Sequence, residues 1–197
     1  MKNRKSSNSL RIIGGEWRGR RLSFPDAEGL RPTPDRVRET LFNWLQPVIR
    51  GARCLDAFAG SGALGLEALS RGAAQVTLLD SAPKVIAQLR ENLALLKCTH
   101  AELHCASALS YLDRPAHQTY HVVFLDPPYH KNLLAPAAQL LEERGWLAPE
   151  ALIYIEAEQT LTPLPIPANW AIVRNKQAGQ VSYSLIQRQS PAHRSVS

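Results

Sequence analysis

Residues 54–65 constrain the fold of this chain more tightly than any other stretch. Cys54-Leu55-Asp56-Ala57-Phe58 is a short apolar run with one acid inside it, and it passes straight into Ala59-Gly60-Ser61-Gly62-Ala63-Leu64-Gly65. A helical stretch, 66–71, follows. Glycines at a strand-to-helix turn give the backbone φ values that other residues resist, and let a ligand come close to the chain. Fifteen residues after Gly65, the run Gln75-Val76-Thr77-Leu78-Leu79 ends in Asp80. An acid at the end of that second strand is where a carboxylate would hold a ribose diol.

Taken literally, Gly60-x-Gly62-x-x-Gly65 followed by Asp80 matches the dinucleotide fingerprint. Asp56 argues against a dinucleotide. A carboxylate within one turn of the loop repels a pyrophosphate, which needs helix N-terminal amides and no negative charge nearby. The same carboxylate suits a ligand that carries an ammonium and a sulfonium where a dinucleotide carries phosphates. S-adenosylmethionine is such a ligand.

A second motif points the same way. The apolar run His121-Val122-Val123-Phe124-Leu125 reads as a buried strand, and Asp126-Pro127-Pro128-Tyr129 stands at its carboxyl edge. That set suits methylation of an exocyclic amine on a flat base. Such an amine is a poor nucleophile because its lone pair is delocalised into the ring. A carboxylate and a backbone carbonyl that accept both amine hydrogens draw the nitrogen toward tetrahedral geometry. Two prolines fix φ and stiffen the loop, and Tyr129 offers a face for the base. Taken alone, the motif also fits a strand ending in a Pro-rich turn with an Asp cap.

Strands and helices alternate along the middle of the chain. Strands are expected over 53–58, 75–80, 102–105 and 120–126, and helices over 62–71, 83–96, 107–112 and 133–144. Alternation of this kind implies right-handed crossovers and a doubly wound, mostly parallel sheet. The end differs. Residues 151–157 are strand-like, and the runs 170–176 and 180–188 are separated only by Gln177-Ala178-Gly179. So short a link holds no crossover helix, so these two runs pair as an antiparallel hairpin. Ahead of the sheet, 11–13 and 20–24 read as two short strands around a Gly-rich turn. A helix over 35–45 follows, with Pro34 at its first position. Val37, Leu41, Trp44 and Leu45 give it an apolar stripe, with Arg36 facing outward.

The charge is uneven. Residues 1–50 hold eleven Lys/Arg and five Asp/Glu, whereas 51–197 hold twelve of each. A basic arm on a neutral body points to a polyanion, because clustered Lys and Arg release condensed counterions. A solvated tail is the simpler account of Lys2, Arg4 and Lys5. The arginines from Arg11 to Arg38, interleaved with structured signals, are the candidate contacts: Arg11, Arg18, Arg20, Arg21, Arg31, Arg36 and Arg38. A chain of 197 residues, 45% hydrophobic, is expected to form one main domain. No run approaches the length of a membrane span, and the polar N-terminus is no secretory signal. Cys54 and Cys105 lie in apolar runs and read as buried free thiols in a reducing cytoplasm. His100 and His104, like His117 and His121, are four apart but not on one helical face, so no metal site is expected. His130 is either a phosphate or base contact or an ordinary surface histidine.

The chain resembles the bacterial small-subunit ribosomal RNA guanine-N2 methyltransferase family. The residues that carry the resemblance are Arg-Ile-Ile-Gly-Gly-x-Trp-Arg-Gly-Arg at 11–20, Arg-Pro-Thr-x-Asp-Arg-Val-Arg-Glu-Thr-Leu-Phe-Asn at 31–43, Leu-Asp-x-Phe-Ala-Gly-Ser-Gly-Ala-Leu-Gly at 55–65 and Asp-Pro-Pro-Tyr at 126–129. The resemblance implies a Rossmann-like class I methyltransferase: a doubly wound, mostly parallel seven-stranded sheet with a C-terminal antiparallel hairpin and a small N-terminal hairpin and helix. It implies S-adenosylmethionine as donor and one guanine of small-subunit rRNA as acceptor, in an assembled or partly assembled small subunit. A cytoplasmic monomer without membrane or metal is expected. The implied segments are a disordered basic tail over 1–10, an RNA-binding extension over 11–50, a methyltransferase domain over 51–189 and a frayed tail over 190–197.

The implied roles follow. Gly60 and Gly62 pass under the methionine part of the donor near Phe58, and Asp56 accepts from its ammonium, directly or through water. Asp80 holds the ribose, and Ser107 with Ala108 borders the adenine; Ser107 departs from the Asn expected there. Asp126 and the carbonyl of Pro127 take the amine hydrogens while Tyr129 stacks on the base. A base in folded RNA must first be splayed out. A DNA adenine-N6 methyltransferase shares the Asp126 motif, but the chain is short for a target-recognition domain. A release-factor glutamine methyltransferase would start the motif with Asn. An RNA-binding protein on a decayed fold would not need Asp56, Asp80 and Asp126 all intact. Deleting the basic segment ahead of Thr33 is expected to leave the donor site folded.

Overall fold

The computed structural model describes residues 8–27 and 30–190. The tails expected over 1–10 and 190–197 fall outside the described residues except at their inner ends. There the first expectation needs correcting: Ser9 and Leu10 belong to a strand, with Leu10 buried. No helix among the described residues is long and apolar enough to cross a membrane. The chain divides into two compact units, Met1–Ala108 and Leu109–Ser197. One main domain was expected, with a division after residue 50; residues 11–50 instead belong to the same unit as the glycine loop.

In the first unit, β1 (Ser9–Arg11) pairs antiparallel with β2 (Arg21–Ser23). The first strand ends earlier than its apolar residues suggest. The amides of Ile13 and Gly14 turn away from the ladder to the carboxylate of Glu67, at 2.9 and 2.8 Å. α1 (Asp35–Ile49) follows Pro34, which takes the capping position with φ −55° rather than the first helical one. Its buried face is Val37, Leu41, Phe42, Leu45 and Ile49, with Trp44 only half-buried. Burial of Ile49 draws the last turn on past Pro47, four residues beyond the expected end.

β3 (Arg53–Asp56), α2 (Ala63–Ser70), β4 (Gln75–Asp80), α3 (Pro83–Leu95) and β5 (Ala101–Cys105) complete this unit. β3 pairs parallel with β4, and β4 with β5. Pro83 opens α3 without loss, because the first amides of a helix have no partner inside it. All eight residues of α2 are buried, Glu67 and Ser70 included. The N-terminal segment covers this helix: the Trp17 amide donates to Ser70 Oγ at 2.9 Å, and Ser70 Oγ donates to the Gly14 carbonyl at 2.6 Å.

α4 (Ala108–Leu112) begins at the last residue of the first unit. The second unit holds β6 (Tyr120–Leu125), α5 (Leu134–Glu143), β7 (Leu147–Glu158), β8 (Trp170–Ala178) and β9 (Val181–Arg188). β6 and β7 are parallel, while β9 pairs antiparallel with both β7 and β8. Ala178 faces Val181, so the hairpin turns on Gly179-Gln180, one residue later than expected. Arg188 grips Glu142 of α5 through both Nε and Nη2, and the Trp170 indole donates to the same carboxylate at 2.9 Å. Trp146 is fully buried, stacked near Tyr111 and Tyr120, with its indole N–H on the Leu112 carbonyl.

Seven strands make up the mostly parallel sheet, in the order β5-β4-β3 within the first unit and β6-β7-β9-β8 within the second. The inner strands are apolar on both faces; Val122, Val123, Phe124 and Leu125 are all fully buried. This is the doubly wound sheet with a terminal hairpin that the alternation of runs implies.

Candidate active site

The carboxyl ends of β3, β4 and β5 carry the first group of candidate residues. Gly62 caps α2 in the left-handed region at φ +80°, and a Cβ there would stand 2.6 Å from Leu89 Cδ2. Only glycine fits. Gly65 is tight for a different reason: a Cβ on it would lie 2.7 Å from Leu78 Cδ2 and 3.1 Å from Asp56 Oδ2, so both side chains would have to shift. The turn is tied to the next strand: the Gly60 amide donates to Asp80 Oδ2 at 3.0 Å, and the Ala59 amide to the Leu79 carbonyl at 2.9 Å. Asp80 Oδ1 accepts from the Ala82 amide at 2.9 Å. The Ala106 amide donates to the Asp80 carbonyl at 3.0 Å, which brings exposed Ser107 and buried Ala108 beside the same strand end. Phe58 is half-buried just past β3. Asp56, Phe58, Gly60, Gly62, Asp80, Ser107 and Ala108 therefore share one edge.

The role expected of Asp56 needs correcting. Only 2% exposed, it accepts the Gly65 amide at 2.9 Å. Its carboxyl is pushed up to about 7, chiefly by burial, while the Gly65 amide draws it back, the charge of Asp80 adds to the rise and the Phe58 amide lowers it again. So enclosed a group tethers the glycine turn, which leaves of the expected role only the contact through water. Two of the first three amides of α2 are also taken, Ala63's by Ser61 Oγ and Gly65's by Asp56. A pyrophosphate would find them spent, which argues against a dinucleotide more directly than charge does.

The second unit carries the other group, at the carboxyl end of β6. Asp126 is half-buried, Pro127 buried, and Pro128, Tyr129 and His130 exposed. Tyr129, 42% exposed, presents open ring surface. Its phenol is pushed up to about 12, first by burial and then by the charges of Glu156, Asp126 and Glu158, so it stays protonated at any physiological pH. His130, at φ +60°, is held by Glu158, which accepts its backbone amide at 3.0 Å and lies 3.3 Å from its Nδ1. Behind this loop is a cavity of about 140 Å³, lined by Pro127, Tyr129, Leu133, Glu156 and Leu161 among others.

Comparison with known proteins bears on this arrangement. The family described as Conserved hypothetical protein 95 matches residues 10–187. Ribosomal RNA small subunit methyltransferase D of Escherichia coli (strain K12) is 54% identical over 188 residues, covering 95% of this chain and 94% of that protein. The chain belongs to the ribosomal RNA small subunit methyltransferase D family. The Haemophilus influenzae protein of the same name is 52% identical, covering 92% of this chain and 95% of its own. Among solved structures, yhhF from Escherichia coli superposes with a TM-score of 0.88 at 52% identity, over 93% of this chain and all of that one.

The candidate arginines of this methyltransferase D family member divide. Arg18, Arg20, Arg21, Arg31 and Arg36 are exposed. Arg11 is exposed as well but paired with Asp35 at 2.9 Å. Arg11 and Arg21 line a cleft of about 320 Å³ beside Thr33 and Asp35. Arg38 is a correction: it is 1% exposed and directed inward. Its guanidinium donates to the carbonyls of Thr33 and Arg11, to Asp35, and at 3.4 Å to Glu67. A cation so committed does not reach RNA. Cys105 is a second correction, since it is exposed, while Cys54 is buried. β5 is an edge strand, covered along one side only.

Two acids escaped the sequence reading. Glu67, fully buried, collects the amides of Ile13 and Gly14, Arg38 and, at 2.8 Å, Arg71. Glu156, 8% exposed on β7, accepts the Tyr154 hydroxyl at 3.0 Å. The available signal was an acid inside an apolar run, which ends up buried and must be satisfied.

Proposed function

We propose that the chain methylates the exocyclic N2 amine of one guanine in small-subunit rRNA, using S-adenosylmethionine, on an assembled or partly assembled small subunit. One observation carries this reading: in a member of the methyltransferase D family, one strand edge gathers the glycine turn onto Asp80 while another ends in Asp126-Pro127-Pro128-Tyr129.

The first edge fits the donor. Gly60 is open on its outer side, with no heavy atom nearer than 3.8 Å to where a Cβ would stand. Asp80 is oriented by two amides, and each carboxylate oxygen keeps a second lone pair for a ribose hydroxyl. When bound, S-adenosylmethionine supplies a sulfonium methyl as electrophile. Gly60 and Gly62 run under its methionine part, Asp56 holds that turn in shape, and Ser107 and Ala108 border the adenine.

The acceptor is handled by the second edge. Asp126 and the Pro127 carbonyl accept the two amine hydrogens, which localises the nitrogen lone pair, and the prolines keep both acceptors still. Tyr129 stacks on the splayed base. Its protonated phenol does not act as a base. None is needed, because the nitrogen's proton becomes acidic once the nitrogen carries a methyl and passes to Asp126 or water. Catalysis is then chiefly positioning. Exposed Arg18, Arg20, Arg21, Arg31 and Arg36, with the cleft at Arg11 and Arg21, take the phosphates.

Mass spectrometry of rRNA from cells lacking this gene tests the reading. One N2-methylguanosine of the small subunit should disappear, and return with the wild-type gene. An unchanged rRNA, or loss of a methylated adenine instead, would overturn it.

A further inference from the structure

The cavity behind the Asp126 loop contains a group for which amine activation has no use. Glu156 lines it together with Pro127 and Tyr129, all within the second unit. Glu156 is 8% exposed, and the Tyr154 hydroxyl donates to its Oε2 at 3.0 Å, fixing the carboxylate on its strand. Glu158 lines the same cavity and binds His130. Asp126 immediately precedes Pro127 in the loop that lines this cavity with Glu156, and the charges of both acids act on the Tyr129 phenol.

The bases differ in what they offer such a place. The Watson–Crick edge of guanine presents N1–H beside its N2 amine, an unbroken row of donors. Adenine and cytosine put a bare ring nitrogen beside their amine, and that lone pair would face a carboxylate. A buried carboxylate left against an acceptor, with no hydrogen between them, is strongly penalised. About 140 Å³ behind a tyrosine has room for one flat ring system.

We infer that Glu156 is the residue that selects guanine, its carboxylate accepting N1–H while Asp126 holds the adjacent amine. This rests on reading the Asp126 loop as the amine site. Selection then comes from the pairing of acceptors with donors rather than from shape, and sites built that way reject an analogue lacking the donor by large factors.

The test uses 2-aminopurine, which keeps the N2 amine but has a bare N1. The guanosine methylated by the wild-type enzyme is first located by mass spectrometry, then replaced by 2-aminopurine in an rRNA assembled into small subunits. Wild type should prefer guanine in kcat/KM by about 10²-fold or more. Glu156→Gln, whose carboxamide can donate to a bare N1, should lose activity on guanine and narrow or invert the preference. Tyr154→Phe leaves the carboxylate but removes its anchor, and should narrow the preference to a smaller degree; it decides the matter if Glu156→Gln does not fold. A wild-type preference retained in the folded variants overturns the inference, because a merely structural Glu156 would lower both rates together. If wild type methylates no guanine, or Asp126→Ala is fully active, the failure lies in the reading of the Asp126 loop instead.

Discussion

Arg36 and Arg38 stand two residues apart on one helix, and replacing each by alanine should have opposite consequences. Truncating Arg38 removes the donor from two carbonyls, Thr33 and Arg11, each at 3.0 Å, and from the Asp35 carboxylate at 2.6 Å. It also takes a cation from Glu67, which has no exposed surface. An orphaned carbonyl costs about 1 kcal/mol, and deleting one partner of a buried pair costs about 3–5 kcal/mol. Glu67 keeps two amides and Arg71, so the pair contributes the lower end of that range, and with the two carbonyls the loss should be about 5 kcal/mol. Arg36 is exposed, and its loss should change stability by no more than about 0.5 kcal/mol. Urea unfolding of the full chain, followed by circular dichroism with the m-value checked, measures both. RNA affinity across a salt series completes the contrast. Arg36→Ala should reduce the log–log slope by about 0.7–0.9, one phosphate contact, and folded Arg38→Ala should leave it alone. An Arg38→Ala variant that lost under about 1 kcal/mol while flattening the salt dependence would refute the argument that burial removes this arginine from RNA.

Asp126→Ala should lower turnover by about 10²–10³ while calorimetric affinity for S-adenosylmethionine persists; near wild-type turnover would end its role at the amine. Asp56 has a folded pKa of about 7 against an ordinary 3.8, so the native state holds a proton that the unfolded chain has shed between those values. Its burial costs nothing below pH 4; stability falls as the pH climbs from about 4 to 7, by up to about 1.4 kcal/mol per pH unit, and levels off above 7. Asp56→Asn should therefore be more stable than wild type at pH 8 and not at pH 4; parallel pH profiles would contradict this. Reversing Arg18, Arg20 and Arg21 to Glu should weaken rRNA binding and flatten its salt dependence, and an unchanged slope would reduce them to solvated surface.

What could be read from the sequence was local. A glycine turn between a strand and a helix, and an acid before two prolines, declare themselves within ten residues. Both came out at strand ends; that the Gly60 amide bonds Asp80, which was expected only to hold a ribose, was not legible in the pattern. The hairpin followed from the brevity of its link alone. The errors came from partners far along the chain. Arg38 reads as one more basic residue until Glu67 is found 29 positions away. The β1–β2 pairing goes no further than the Ile12 amide on the Arg20 carbonyl, because Glu67 captures the amides of Ile13 and Gly14. Cys105 sits in an apolar run but on an edge strand, and edge position depends on strand order, which no single run reveals.

The bonds made by Glu67 and Ser70 also set an order of events. β1 and β2 have three residues each, too few to hold as a free hairpin in water. What fixes the loop between them lies 53 to 56 positions downstream, on a helix that cannot settle until Gly62 and Gly65 have formed their turn. The loop over 13–17 thus takes its shape only when α2 is in place. The arginines between 11 and 21 do not make a prefabricated handle that can be cut off or transplanted. A deletion ahead of Thr33 would strip Glu67 of two amides and expose α2, so the donor edge would not survive it intact. A graft of this arm onto another methyltransferase would have to bring residues 62–71 along.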